Sequence, residues 1–344
     1  MTTATAQIWT GGPDFECREI PLPELAAGEA MIRLTTATIC GSDRHTVAGR
    51  RSAACPSILG HEGIGVVTET RRDDLTVGQR VVSSVTTTCG TCANCARGLT
   101  AKCSSVEKVG HEPLDGPWPL SGTYATHLHL RAGQTVAPVP DSVPDALAST
   151  AGCAAATVMA VLEAAGDLTG RRVLVNGIGM LGTIAVIAAR ARGAAHVIAC
   201  DPAPRSRELA AGVADETIAP GGTHLVDVAF ELSGVAAGVD ACLASLDIGG
   251  TAVLAGSVTP GPEVVIDPEW VVRGWRTITG VHNYEPRHLI EAVDFLAAEG
   301  HRLPTDRIFG GPVTLEQLPA QFAYPDGTLR TVVEIQRVSG ESNR

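Results

Sequence analysis

The chain has 344 residues, 44% of them hydrophobic and 18% charged, which is long enough for two domains and too apolar for a disordered protein. Its formal charge of −11 argues against a nucleic-acid partner, and aromatics at 3% leave a core built mainly of Ala, Val, Leu and Ile. No apolar run approaches the length of a membrane span and the N-terminus lacks a basic-then-apolar signal pattern, so a cytoplasmic chain is expected, with no membrane partner. In that compartment ten cysteines read as metal ligands and free thiols rather than disulfides.

Residues 1–153 are rich in Gly, Pro, Thr and short apolar runs, such as Ala30 to Thr36, Gly63 to Thr68 and Gln79 to Ser83. They read as short strands joined by turns, a β-rich domain. Within it, Cys89, Cys92, Cys95 and Cys103 stand at the spacing C-x2-C-x2-C-x7-C. Four thiolates so spaced close a tetrahedron around one Zn²⁺ and leave no open position, so the lobe at about 89–103 is expected to hold structure and do no chemistry. An iron–sulfur cluster satisfies the same ligand count. Cys17, Cys55, Cys200 and Cys242 have no arguable metal role.

From residue 154 the pattern alternates. Arg172 to Asn176, His196 to Cys200, Val226 to Leu232 and Thr251 to Ala255 read as buried strands; Met180 to Arg192, residues 205–211 and Val235 to Leu246 read as helices between them. Such alternation implies a parallel sheet covered on both faces. The loop Gly177-Ile178-Gly179-Met180-Leu181-Gly182 fits G-x-G-x-x-G, follows a strand and opens a helix, the context a dinucleotide fingerprint requires. Asp201, nineteen positions past Gly182, is placed to accept from an adenosine ribose and repel a 2′-phosphate, which favours NAD over NADP. Arg205 and Arg207 follow closely. A Rossmann domain over 154–284 is the expectation. Residues 285–344 offer one amphipathic helix, Pro286 to Glu299, and strand-like Arg330 to Gln336; this tail is expected to return to the first domain.

Three separated segments remain: Ile39-Cys40-Gly41-Ser42-Asp43, Leu59-Gly60-His61-Glu62-Gly63 and Ala151-Gly152-Cys153-Ala154. Their spacing cannot show that they converge. With the cysteine lobe, the glycine loop and Asp201, all in the same order, they make the chain resemble a zinc-dependent alcohol dehydrogenase of the medium-chain dehydrogenase/reductase superfamily, nearly end to end. The resemblance implies an α/β protein with a GroES-like catalytic domain, a Rossmann domain and an active site in the cleft between them. It implies a catalytic Zn²⁺ on Cys40, His61 and Cys153 with a fourth position open, hence two Zn²⁺ per chain. Glu62 would be an alternate metal ligand, and Asp43 would orient His61. Ser42 and His45 would carry the alcohol proton outward while hydride passes to NAD. Polyol dehydrogenases of the superfamily usually place Glu where Cys153 falls, so the alcohol dehydrogenase type is the better match. A homodimer or homotetramer is implied.

The segments Thr38 to Arg51, Leu254 to Val258 and Gly280 to Leu289 resemble a subgroup associated with phosphonate metabolism. The implied substrate is a small alcohol or aldehyde, anionic, such as 2-hydroxyethylphosphonate and its aldehyde. Arg50 or Arg51, with His282, would bind the anionic end, since Arg offers a bidentate fork. A neutral alcohol or polyol is the alternative substrate. A non-redox lyase or epimerase and a redox-silent NAD-binding protein are the competing classes, and stoichiometric NADH release separates them from a dehydrogenase. Residues 111–119 fit no pattern.

Overall fold

The computed structural model describes residues 3–222, 224–323 and 327–335. They form two compact units. The first holds the described residues up to Cys153, then Glu285–Ala297 and those from Thr305 onward; the second holds Ala154–Tyr284 and Ala298–Pro304.

In the first unit, β1 (Thr3–Gly11) pairs antiparallel with β2 (Asp14–Pro21). β3 (Ala30–Ile39) is buried on nearly every residue, which marks it as a central strand. β4 (Ser57–Ile58) adds to β1, while β5 (Gly63–Thr70), β6 (Arg80–Ser83), β7 (His127–Leu130) and β8 (Val136–Pro138) extend the sheet around β3. Residues 111–119, unassigned by sequence, pack into this unit: Trp118 is fully buried and donates its indole N–H to the His129 carbonyl at 2.9 Å.

The second unit is one six-stranded sheet of β9 (Arg172–Asn176), β10 (His196–Cys200), β11 (Glu216–Ile218), β12 (Val226–Glu231), β13 (Leu246–Leu254) and β14 (Thr277–Gly280). Its order is β11-β10-β9-β12-β13-β14 and every pairing is parallel. This is the doubly wound Rossmann order, whose switch point falls between β9 and β12. One boundary differs from the sequence reading. The helix before β13 ends at Ala244 and the strand begins at Leu246, because Leu246 is a core residue paired with Val226; the glycines at 249 and 250 then let the strand shift register before Thr251. Cys200 and Cys242 are packed in this unit's core, and Cys17 and Cys55 are exposed.

The chain then returns through the helix Pro286–Glu299 to β15 (Phe309–Thr314) and β16 (Arg330–Glu334). β16 lies antiparallel on β3, giving the order β15-β16-β3-β5-β6-β8 with β7 also on β3. Gln336, the expected end of this strand, lies outside the described residues. The register places Thr331 opposite Ile39 and Gly63 opposite Ala37. Cys40, Glu62 and Arg330, distant in sequence, therefore meet at one end of three adjacent strands. No single helix among the described residues is long and apolar enough to cross a membrane.

Candidate functional site

β3 ends in Cys40, which is the N-cap of the helix Gly41–Val47. Asp43, one turn in, accepts the Cys40 backbone N–H at 3.1 Å and the Tyr124 hydroxyl at 2.8 Å. Its other oxygen lies 3.2 Å from His61 Nδ1, near enough to attract it but off hydrogen-bond alignment, so Nδ1 has no aligned partner although buried. Ser42 Oγ stands 3.2 Å from His61 Nε2. Cys153 closes the group, and the donor atoms of Cys40, His61, Glu62 and Cys153 all lie within 4.8 Å of one another. The three residues that spacing could not join thus converge.

The site's electrostatics call for a cation. A hydrogen bond from Cys153 holds the Cys40 thiol well below its usual range; burial opposes this, and Arg330 and His61 add to it. The same bond and burial push Cys153 up. Asp43 and Glu62 are also buried here, so carboxylate and thiolate charge gathers in a dry place; Arg330 answers part of it, and His61, although burial opposes its protonation, is held well above its usual range by Asp43 and Cys40. Two sulfurs and an imidazole are the donors Zn²⁺ prefers, and a buried excess of anionic donors is what a divalent ion neutralises.

Glu62 is more constrained than the sequence suggested. It is 0% exposed. One oxygen takes Arg330 Nε at 2.6 Å and the Thr38 hydroxyl at 2.7 Å, and the other takes Arg330 Nη2 at 2.9 Å. No motif gives Arg330 or Thr38 a role at the site, and only the pairing of β16 with β3 reveals it. His45 is exposed on the same helix as Ser42, and its Nδ1 accepts Arg50 Nε at 2.8 Å. Arg50 is therefore engaged with His45. His282 follows β14 in the second unit and is exposed.

The cysteine lobe has its own geometry. Sulfur separations are 3.5 Å for Cys92–Cys95, 3.5 Å for Cys89–Cys103 and 4.0 Å for Cys92–Cys103. A tetrahedron with Zn–S bonds of about 2.3 Å has edges of about 3.8 Å, whereas a disulfide needs about 2.05 Å. All four cysteines are free thiols. Backbone N–H groups point at the sulfurs: Cys92 N–H to Cys89 at 3.4 Å and Cys95 N–H to Cys92 at 3.5 Å. Backbone and hydroxyl donation from Thr91, joined by the Cys92 N–H, holds Cys89 down to about 5. Donation from Cys95 N–H, then from Ser104, holds Cys92 down to about 6. Glu285 braces the lobe, accepting Thr100 N–H at 3.0 Å and Ala101 N–H at 3.2 Å. For such lobes the metal-binding free energy, about 10–16 kcal/mol in isolated zinc fingers, is folding free energy. Cys95→Ser is therefore expected to lose one zinc per chain and open the lobe. The checks are metal content and trypsin, which should newly cut at the exposed Arg97 and Lys102.

In the second unit, β9 runs into the glycine loop. Gly177 has φ +95°, and a Cβ there would lie 2.5 Å from Ser233 N; a Cβ on Gly182 would lie 2.0 Å from Gly177 O. Both must be glycine for the turn to pack. A Cβ on Gly179, by contrast, would meet nothing within 4 Å, so its missing side chain leaves open space at the start of the helix Met180–Ala191. Met180 and Leu181 supply the first helical N–H groups, the donors a pyrophosphate uses. Asp201 directly follows β10 and accepts Ile178 N–H and Ala203 N–H, each at 2.8 Å. Arg207 is tied to the carbonyls of Asp201 and Pro202, at 2.7 and 2.9 Å. Buried Glu231, unnoticed in the sequence, accepts Ser233 N–H, Gly234 N–H and the Ser233 hydroxyl at 2.7–2.8 Å, fixing the loop beside Gly177.

Residues 26–141 match the family model of the alcohol dehydrogenase GroES-like domain, and residues 180–298 match that of zinc-binding dehydrogenase. An L-threonine 3-dehydrogenase of Streptomyces avermitilis is 30% identical over 294 residues, 79% of this chain and 82% of that protein. Another from Shewanella sp. strain ANA-3 is 29% identical, over 78% and 80% of the two chains. An alcohol dehydrogenase structure from Thermotoga maritima shares the fold with a TM-score of 0.89 at 23% identity, covering 97% of this chain and all 100% of its own. A Sinorhizobium meliloti 1021 structure, described as a zinc-binding dehydrogenase bound to NADP, shares it with a TM-score of 0.86 at 24% identity, covering 97% and 100%.

Proposed function

The chain belongs to the zinc-binding alcohol dehydrogenase family, and from that premise we propose that it is an NAD-dependent dehydrogenase of a small alcohol carrying an anionic group. It is an oxidoreductase that uses a nicotinamide cofactor and acts on a small molecule. The observation that carries the mechanism is the convergence of Cys40, His61 and Cys153 beside the Ser42 hydroxyl.

Cys40, His61 and Cys153 would hold the catalytic zinc, and Cys89, Cys92, Cys95 and Cys103 a structural one. The catalytic ion supplies Lewis acidity, lowering an alcohol's pKa or polarising a carbonyl. Asp43 holds His61 by charge and is itself fixed by Tyr124 and the Cys40 N–H. Ser42 takes the alcohol proton toward solvent, and His45 accepts it one helical turn on; Ser42 and His45 at i and i+3 share a helix face. The Arg50 N–H on Nδ1 leaves His45 protonated at Nε2. Burial and then the Arg50 charge lower its pKa and keep it neutral; its one acceptor nitrogen is Nδ1, so taking the proton requires Nδ1 to give up the Arg50 hydrogen bond.

The cofactor would lie on the Gly177–Gly182 loop with its ribose on Asp201. Arg207 is turned to backbone carbonyls, which supports the reading that the Asp201 carboxylate favours NAD. Asp201→Asn keeps an acceptor and removes the charge. It is expected to lower the NAD-to-NADP ratio of kcat/KM by about tenfold, the scale of one charged hydrogen bond. An unchanged ratio would remove Asp201 from cofactor choice.

For the substrate, the loop after the helix Gly41–Val47 offers two arginines, and Arg51 has no ion pair or hydrogen bond among the described residues. A phosphonate such as 2-hydroxyethylphosphonate and a hydroxy amino acid such as threonine, the substrate named for the relatives, share an alcohol close to an anion. Initial NADH formation is compared for these two and for neutral alcohols and polyols at equal concentration. Preference for an anionic member supports the reading; preference for a neutral alcohol discards the anion and keeps the chemistry. A homo-oligomer is also proposed, since β14 is an edge strand and Val265, Val272 and Trp275 nearby in sequence are exposed.

A further inference from the structure

A second constellation lies beside the metal-ligand cluster in the first unit, on a segment the sequence left unassigned. Lys108 bridges Thr86, Val109 N–H donates to Val85 O at 2.8 Å, and Gly110 N–H donates to Ser121 O at 2.8 Å. Gly110 has φ +73°, and a Cβ there would stand 2.3 Å from Gly60 O. Only glycine permits that approach, and it lays residue 111 against residue 61. The rings of His111 and His61 are 5.8 Å apart.

His111 Nδ1 is 2.7 Å from the Val109 carbonyl oxygen. A carbonyl only accepts, so Nδ1 carries the proton and the neutral ring presents a lone pair at Nε2. A lone pair does not bind an anion. The cations do: Arg51, after the helix Gly41–Val47, and Lys108 are both half-buried. Neither charge has an ion pair or hydrogen bond among the described residues. The two segments run side by side, since Ser57 bridges Pro113 and Leu114 N–H donates to Pro56 O at 2.9 Å, and the Arg51 charge is felt at Lys108 and His111 alike. The neighbouring carboxylate, Glu112, accepts the Lys108 backbone N–H at 2.8 Å. Two cations held together and partly dry repel each other, a cost that a bound anion relieves.

We propose that Arg51 and Lys108 form the subsite for the anionic group of the substrate, with His111 as the wall between it and the Cys40–His61–Cys153 cluster. This rests on the dehydrogenase reading above and specifies it: the distance between the reacting carbon and the anion is set by one imidazole. Lys108 becomes a specificity residue. Arg51 is separated in role from Arg50, which serves His45.

The test uses full-length, zinc-loaded protein with Lys108→Met, Arg51→Met, the double variant and Lys108→Arg. Methylphosphonate is titrated by calorimetry and tested as an inhibitor of alcohol oxidation; acetate is run alongside. Each Met variant is expected to weaken methylphosphonate binding about tenfold and the pair about a hundredfold, the scale of charged hydrogen bonds. The ratio of kcat/KM for an anionic over a neutral alcohol should fall in step, and Lys108→Arg should recover most of it. Tighter binding of methylphosphonate than of acetate assigns the subsite to a phosphonate, and the reverse to a carboxylate. Unchanged binding in the double variant, or inhibition not competitive with the alcohol, overturns the proposal. Calorimetry reads the subsite even if no alcohol yields NADH, so failure of the dehydrogenase reading is seen separately.

Discussion

Replacing His61 with Ala is expected to lower kcat by on the order of a thousandfold or more and to remove one zinc per chain. The scale follows from losing Lewis-acid stabilisation of several kcal/mol at about 1.36 kcal/mol per factor of ten. His61 is buried between Asp43 and Ser42, and its loss removes the only nitrogen from the donor group. The fold should survive, because the knuckle of Cys89, Cys92, Cys95 and Cys103 is separate and keeps its own ion. Metal analysis with steady-state kinetics checks both halves. A His61→Ala protein retaining both metals and most of its activity would mean that this cluster is not the catalytic centre.

Replacing Arg330 with Met is expected to destabilise the protein by about 3–5 kcal/mol, the usual cost of leaving a buried carboxylate unpaired. The side chains of Arg330 and Glu62 are 5% and 0% exposed and share two hydrogen bonds. Burial already raises the Glu62 carboxyl against the opposing pull of Arg330, so removing the guanidinium drives that carboxyl to take up a proton. The double variant Glu62→Gln, Arg330→Met should recover much of the stability, because no bare charge then remains. Denaturant unfolding of the single and double variants measures this. Equal losses in both would show that Arg330 acts through packing rather than through the pair.

The pair also shows what a sequence carries and what it hides. The cysteine knuckle and the glycine loop were legible because their ligands and turns lie within a few residues, where spacing alone restricts geometry. The alternation of apolar runs marked the parallel sheet, and the observed strand order agrees with it. Cys40, His61 and Cys153 were named through family resemblance alone, since no local rule ties residues separated by whole strands. Arg330 stood in the tail without any motif. Its role depends on β16 pairing with β3, a contact that hydrophobic pattern permits but does not select. Tyr124, Thr38 and Glu285 were missed for the same reason: each is a single polar residue made meaningful by one long-range hydrogen bond. Glu62 was read as an alternate metal ligand before its two-armed hold on Arg330 was visible. The structure adds that constraint to its place beside the cluster.

The central claim is net hydride transfer at a zinc centre of Cys40, His61 and Cys153. The direct measurement mixes zinc-loaded protein with NAD⁺ and the preferred alcohol, and follows NADH and carbonyl product together. The expected result is equal molar amounts of the two, lost in Cys40→Ser along with one zinc per chain. Product formed without NADH, or full turnover by the Cys40→Ser protein, would contradict it.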